Sequence, residues 1–577
     1  MNTNLLRWYA LMVALAGTIL SLQAQTLNET SGTGSGVSIT TGDYNTAYGD
    51  STLSNATSGS QNTMVGYQAG RSQTTSEGTF VGYQAGYTNT TGFDNTFIGH
   101  QAGYSNTTGG DNTFIGIEAG ELNTTGYDNT FVGEEAGFDN TTGYENTYIG
   151  EDAGYNSTTG YKNTFVGNEA GYSIETGYRN TGVGSESLQD VRDNHHNTGI
   201  GDSSGIDVGS GIYNTFVGAA SGVATEYADF NTFVGSESGW DNNRTNNANN
   251  ANRNTYVGHM CGYSNREGED NVGMGAFSNY NNTIRQRNTF IGSYQDVDNN
   301  DMIMMGYSAY DNAQYSIIMG NESDQRGTGA IGIGHQAAMA DNADYAIGIG
   351  YQADVDNVDG IGIGNNITLQ GDYSITIGSG TSSTAANTLG IGYSAALNTE
   401  NSVTLGNDAS IVIAGPVNWS SSSDGRFKTN IEENVPGTNF IRGLRPVTYN
   451  FDIVKMTENQ ALPGLQEASA SKETVRYTGF IAQEVEALAQ ELGYDFSGVK
   501  TPLHEDDRYG IRYAEFVAPL VKALQEMSKE SDMLNIENQQ RQELIKKYEK
   551  LIGLMETRIQ KLEEERLFKQ QPIVSQN

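Results

Sequence analysis

Residues Asn129 to Glu145 read NTFVGEEAGFDNTTGYE, and the phrase that opens this stretch returns along much of the chain. Asn-Thr-Phe-Ile-Gly or a close variant begins at Asn95, Asn112, Asn129, Asn146, Asn163, Asn180, Asn197, Asn214 and Asn231, each 17 residues after the last. A fixed period of this length marks stacked repeats, because a loop has no reason to keep register. Within the unit, Thr130 and Val132 fall on one side of an extended segment and Phe131 on the other. Gly133 follows where the backbone must turn, and Ala136-Gly137 offers a second small-residue corner. One such strand cannot bury its own face, whereas stacked copies can.

The period changes further on. After a 6-residue insertion in the Asn-rich stretch 242–252, the phrase resumes at Asn254, Asn271 and Asn288. Glycines then stand 14 apart at Gly292, Gly306, Gly320 and Gly334, and after one 16-residue step at Gly350, Gly364, Gly378, Gly392 and Gly406. The expected fold is mainly β: a parallel β-roll or solenoid of 17- and 14-residue coils over 45–410, with Gly and Asn supplying positive φ at the turns. At ~4.8 Å per coil, the repeats would build a rod on the order of 110 Å long.

Composition agrees with a fibrous rather than an enzymatic chain. The 577 residues include 73 Gly and only 7 Pro, and 36% are hydrophobic. The net charge of −37 is uneven: the 43 acidic and 11 basic side chains before residue 421 give −32, and the 25 and 20 from 421 onward give −5. So acidic a shaft repels nucleic acid and anionic membrane, which argues against either as a partner. The bland role of this charge is solubility of a long surface; the sharper one is cation binding in turns. Cys261 is the only cysteine, which rules out an intrachain disulfide. It occupies a position that other repeats fill with Ala and reads as a small core residue.

The first residues, MNTNLLRWYALMVALAGTILSLQAQ, carry one positive charge at Arg7, an apolar run from Tyr9 to Leu22 and a small residue at Ala24. This is the layout of a secretory signal peptide over 1–24, cleaved after Ala24, and it predicts export to the cell surface or beyond. The run is shorter than the ~20 residues a spanning helix needs, and no later segment is apolar enough to span a membrane.

The 14-residue units, such as NSVTLGNDASIVIAG from Asn401 and YSITIGSGTSST from Tyr373, resemble the head repeats of trimeric autotransporter adhesins. The resemblance implies a left-handed parallel β-roll whose three copies pack side by side. It is strongest over 292–410; the 17-residue units look like the same coil with a three-residue longer turn. Those adhesins end in a membrane β-barrel and this chain lacks that ending, so self-anchoring does not carry over.

At Asn418-Trp419 the composition shifts: Gly becomes scarce and Pro436, Pro446 and Pro463 punctuate mixed strand and helix patterns. Four phrases follow in order: SSSDGRFKTNI from Ser421, LRPVTY from Leu444, GFIAQEVE from Gly479 and YAEF from Tyr513. Together they resemble the C-terminal intramolecular chaperone domain of phage endosialidases and tail fibres, over about 420–530. The resemblance implies a serine–lysine self-cleavage site, with Ser423 as nucleophile, Lys428 as general base and Ser423–Asp424 as the scissile bond; Phe427 replaces the more usual Leu. A serine hydroxyl is a weak nucleophile until a base takes its proton, and a lysine can do so only where desolvation lowers its pKa. Packing three chains together would supply such a dry pocket. The plainer alternative is that SDGRFK is only a turn into the domain.

From Tyr513 to Leu567 the chain reads as one helix without Pro. Leu520, Leu524, Met527, Leu534, Ile545, Tyr548, Ile552, Met555, Ile559 and Leu562 follow alternating three- and four-residue steps, with Ser531, Asn538 and Arg541 in the same register. This predicts a coiled coil with polar layers that fix register. Ile at a with mixed d residues mildly favours two strands, but both resemblances imply three.

Other chemistry finds little support in the residues. The six His are scattered and His195-His196 is an isolated pair, so no metal site or other cofactor is expected. The Gly-Gly-x-Gly-x-Asp calcium repeat fits neither period, and Gly109-Gly110-Asp111 is only a fragment of it. Thr124-Thr125 and Thr141-Thr142 could form ice-binding rows, though turn formation accounts for them more simply. Tyr87, Phe93, Tyr104, Tyr127, Phe138, Tyr144, Tyr155 and Tyr161 recur in register and read as ladders, either packing or platforms for a glycan.

The expected organisation is a signal peptide (1–24), a linker (25–44), solenoid repeats (45–410), a linker (411–420), the chaperone-like domain (421–530), and a coiled coil with tail (531–577). The functional expectation is an exported, homotrimeric surface or tail-fibre-like protein, structural or adhesive, with a glycan or host-surface ligand. Its only expected enzyme activity is a single-turnover autoproteolysis. The alternative is a tailspike-like carbohydrate-active enzyme with paired carboxylates in a groove on the solenoid.

Overall fold

The computed structural model describes residues 7–9, 11–13, 28–243, 250–281, 283–407, 421–452, 455, 473–502 and 508–569. Most of the signal-peptide stretch, the inserted residues 244–249, the linker 411–420 and the tail beyond Lys569 lie outside the described residues. The chain divides into two units, Met1–Asn407 and Asp408–Asn577, each considered by itself.

The first unit is the expected parallel solenoid. Three-residue strands, one per coil, pair with the next coil to form a 24-stranded parallel sheet. Thr113, Phe114 and Ile115 lie opposite Thr130, Phe131 and Val132, and these in turn opposite Thr147, Tyr148 and Ile149. The middle residue of each strand points inward, so the repeat phrase becomes a column of rings. Phe80, Phe97, Phe114, Phe131 and Tyr148 are fully buried and stack at 4.7 to 4.9 Å between centroids. Where the column loses its ring, the neighbours fill the space: a Cβ on Gly182 would lie 2.8 Å from the Phe165 ring, and one on Gly199 2.9 Å from Leu188 Cγ. Cys261 does the same for Gly273 and is buried, as its Ala-like position implies.

The corner glycine after each strand is required on two grounds. Gly133 has φ +148, a region open almost only to glycine, and a Cβ there would sit 2.1 Å from the carbonyl oxygen of Gly150 in the next coil. The expectation for Asn holds at Asn366, Asn387 and Asn401 of the 14-residue coils, which adopt positive φ, but not at the repeat Asn of the 17-residue coils. There positive φ falls on the residue before it, such as Asp111 (φ 59), Asp128 (φ 56) and Lys162 (φ 59), and on a second turn position such as Glu118 (φ 57) and Glu135 (φ 52). The repeat Asn side chains are buried and stacked instead. Asn112 Oδ1 accepts the Asn129 N–H at 3.0 Å, and Asn112 Nδ2 donates to the Gly126 carbonyl at 2.9 Å. An amide carries both a donor and an acceptor, so a column of them satisfies two buried backbone groups per coil.

The first coil also starts earlier than expected. Glu29–Ser31 pairs in parallel with Thr46–Tyr48, inside the stretch assigned to a linker. Its ETSG sequence lacks the Asn-Thr-Phe phrase but keeps the corner glycine, Gly32, at φ +125.

From Asp296 onward the coils gain a second sheet of eight strands on their other side. Met339, Val355, Leu369 and Leu397 point inward from it, so two facing strands now close an aliphatic core. One inward position is anomalous. Asp311 is fully buried, accepts hydrogen bonds from Ala313 N–H at 2.8 Å and from the Ser316 hydroxyl, and has its carboxyl pushed up to about 7 by burial.

The second unit is a small α+β fold followed by a long helix. Its core gathers Phe440, Val485, Ala489, Phe496 and Phe516. They come from the short helix Thr438–Gly443, the helix Ala482–Glu491, the turn after it and the 3-10 turn Tyr513–Phe516. Val447–Tyr449 pairs antiparallel with Tyr477–Gly479, and Val499–Lys500 with Gly510–Ile511. The helix Val517–Phe568 runs for 52 residues. Among the described residues no helix is long and apolar enough to cross a membrane.

Candidate functional site

Three of the four phrases singled out in the sequence meet in one fold, while the first, from Ser421, stays largely exposed. Arg445 pairs with Glu484, with Nε 2.9 Å from Oε2. The Tyr513 hydroxyl accepts the Phe480 N–H at 3.3 Å. Thr438, at the start of its helix, donates its N–H to Glu526 of the long helix at 2.8 Å, and its hydroxyl adds a second bond at 2.5 Å. These bonds hold Glu526 below the usual carboxylate range. The tie between Thr438 and Glu526 escaped sequence reasoning because the two stand 88 residues apart and neither belongs to a quoted phrase.

Ser423 and Lys428 are brought together by a local turn. Asp424 caps the 3-10 turn Gly425–Phe427: its Oδ1 accepts the Arg426 N–H at 2.9 Å, and Arg426 Nη2 reaches Oδ2 at 2.6 Å. The Arg426 side chain, and next its backbone N–H, hold the Asp424 carboxyl below the usual carboxylate range. The turn brings the chain back on itself, and Lys428 Nζ comes to 2.8 Å from Ser423 Oγ. The Ser423–Asp424 bond therefore lies between the hydroxyl and the residue that caps the turn.

The surroundings of this pair are wet. Ser423, Gly425, Arg426, Phe427 and Lys428 are all exposed, as is the chain from Thr429 to Asn434. Phe427 is 80% and Ile431 77% exposed among the described residues. A serine hydroxyl hydrogen-bonded to lysine in water is a weak nucleophile until a drier setting lets a base take its proton. Elsewhere in the unit, Tyr449, Phe451, Phe480, Ile481, Tyr509 and Tyr513 line a cleft of about 770 Å³. Several of these aromatics belong to the quoted phrases, so the signal for the cleft was present but read only as fold.

On the solenoid, the recurring aromatics stack ring on ring. Tyr127, Tyr144, Tyr161 and Tyr178 lie 4.8 to 5.0 Å apart within 7° of parallel, and Phe138, Tyr155 and Tyr172 form a second ladder. Each ring face is covered by its neighbour, leaving edges outward, which favours packing over sugar stacking. The corner threonines are likewise engaged: Thr124 donates its hydroxyl to the Thr141 carbonyl at 2.8 Å, and Thr141 to Thr158 at 2.9 Å. Among the described residues no three His, Cys, Asp or Glu gather in a metal-binding arrangement.

Residues 423–494 match the family model described as the chaperone of endosialidase. No curated protein matches the chain. A β-solenoid followed by such a region fits a tail-fibre-like structural protein.

Proposed function

We propose that the chain is an exported, homotrimeric fibre, structural or adhesive, whose C-terminal unit gathers three chains and then releases itself by cutting at Ser423–Asp424. The observation that carries this reading is a charge-free strip along the solenoid from its second coil onward. In every strand from Thr46–Tyr48 to Val403–Leu405, the two outward positions of the larger sheet carry no charged residue. From Ile303–Met305 onward both are aliphatic, as in Ile347 with Ile349 and Ile361 with Ile363. The smaller sheet, by contrast, turns Asp324 and Asp354 outward.

The rest of the shaft is strongly acidic, so copies of it repel except through such a strip. Glu135 and Asp152 already lie on neighbouring coils; partial burial first, then the surrounding carboxylates, raise both above the usual range. A strip roughly 110 Å by 10 Å offers on the order of 1,000 Å² per chain, above the ~800 Å² per partner of a standard interface. Its fixed spacing can be matched along its length only by a surface with the same repeat, which is another copy. Three copies rather than two follow from both resemblances. The long helix supports the same reading, since Leu524, Met527, Ile552 and Met555 leave an apolar stripe more than half exposed. Gathering the chains by this helix first would raise their effective concentration before the solenoids register. If the fibre is adhesive, a glycan would meet ring edges and acidic ridges on its surface.

Light scattering on the full-length Ser423→Ala chain tests the assembly. Three chain masses are expected; a monomer contradicts the proposal.

A further inference from the structure

The proposed cut places nucleophile and scissile bond in one residue, and serine's own geometry limits how that works. Attack by Ser423 Oγ on the carbonyl carbon of the same Ser423 would close a four-membered ring through Cα and Cβ. Such a ring forces bond angles far from their ordinary values, and angle strain rises steeply with deviation. A hydroxyl from another chain meets no such restriction. The segment that carries Ser423 is also built to be covered: from Ser421 to Asn434 it is exposed apart from the half-buried Asp424, yet it holds two large apolar side chains, Phe427 and Ile431, bare on either side of Lys428. Two large apolar side chains left bare on an otherwise hydrophilic arm are surface that another molecule can cover. In an acidic homo-oligomer whose C-terminal units gather together, the nearest such molecule is a second copy.

We infer that the Ser423–Asp424 bond is cut in trans, the attacking hydroxyl coming from Ser423 of a second copy against which Phe427 and Ile431 pack. This rests on the self-cleavage reading above. In the assembled arms, covering by the apolar side chains removes water from the 2.8 Å Lys428–Ser423 contact, and Lys428 as the free amine accepts the Ser423 Oγ proton. That oxygen then bonds to the Ser423 carbonyl carbon of the neighbouring chain. The adduct collapses with loss of the C–N bond to Asp424, whose nitrogen takes the proton from Lys428. Water then hydrolyses the interchain ester, restoring the hydroxyl and leaving a carboxylate on Ser423 and a free amine on Asp424. The dyad of a lone chain is thereby silent, and cleavage reports that chains have met.

The test co-expresses two differently tagged full-length chains, wild type and Ser423→Ala. Position 423 is exposed, so the substitution leaves the core untouched. Expressed alone, the Ser423→Ala chain stays whole. In mixed oligomers its wild-type neighbours are expected to cut it at the same peptide bond, and the released fragment begins at Asp424 by mass spectrometry. If only the wild-type copies are cut in verified mixed oligomers, the inference is wrong. It is equally wrong if the wild-type fragment begins at Ser423, the mark of an in-chain shift. If wild type alone stays whole, the self-cleavage reading itself fails first, and the two failures are distinguishable.

Discussion

The 17-residue and 14-residue coils build the same parallel sheet with different interiors. A longer coil closes around one ring, two corner glycines such as Gly133 and Gly137, and stacked Asn, with no second strand opposite. A shorter coil has lost the extra turn; where Asn112 or Asn129 stands in the long form, Ser316, Ala330 and Ser374 stand in the short one. Its second strand supplies inward Val355 or Leu369, and the backbone is satisfied by sheet bonds rather than by an amide column. Length and polarity of the core are thus coupled: the extra turn brings backbone carbonyls inward, and only a side chain with donor and acceptor can meet them.

The contrast can be broken first at the outer strip. Replacing Ile361 and Ile375 with Asp puts unpaired carboxylates where both columns are aliphatic. Since a buried unpaired charge costs several kcal/mol, association should weaken about a hundredfold or more. Thr130→Asp with Thr147→Asp should cost nearer tenfold, because that column is already hydroxyl-lined and more readily hydrated. Sedimentation of each pair against wild type reads the difference; equal losses would remove the distinction.

At the corner the two coil types should respond alike. Gly133→Ala and Gly364→Ala each meet a carbonyl of the next coil, at 2.1 and 2.3 Å, with φ near +145 in both. Each should cost about 3 kcal/mol or more. Faster amide exchange in the flanking coils is the expected readout.

Inside, the coils should part again. Asn112→Ala strands the Asn129 N–H and leaves the Gly126 carbonyl to Asn123 Nδ2 alone, for about 2–3 kcal/mol. Ser374→Ala loses a bond to the Ala385 carbonyl and one from Thr388 N–H, and should cost about half as much, since the Ser383 and Thr388 hydroxyls still serve that carbonyl. Comparing local exchange at the two sites checks the order.

The smallest effect is conditional on pH. Because the folded Asp311 holds its proton up to about 7 against 3.8 when free, its contribution is present at low pH and is lost as pH rises through about 7. Asp311→Asn can donate to Ser316 while that hydroxyl turns its one proton to the Ala313 carbonyl, 3.1 Å away. The variant should match wild type near pH 4 and exceed it near pH 8 in thermal unfolding. A constant offset across pH would show that Asp311 does not titrate there.

Much of this architecture was legible from the repeat. Phe131 on one face, Thr130 and Val132 on the other, and Gly133 at the corner follow from period and alternation; which face is buried does not. The Asn column was not legible, because Asn is a turn former by local chemistry and its buried role depends on the coil above. Two-residue strands such as Asp324–Gln325 and Ser382–Ser383 show no alternation to read. At the candidate site, Ser423 and Lys428 came from resemblance alone, and their spacing of five says nothing of contact. The 3-10 turn capped by Asp424 is what closes the distance. Phe427 appeared only as a mild departure, and its bareness emerges only once the rest of the unit is folded.

That three assembled chains let the C-terminal unit cut itself free is tested most directly by intact mass on purified wild type, Ser423→Ala and Lys428→Ala. Wild type should yield a fragment of residues 424–577 and both variants should stay full length at the same oligomeric mass. A wild-type chain that remains whole while forming the trimer would contradict it.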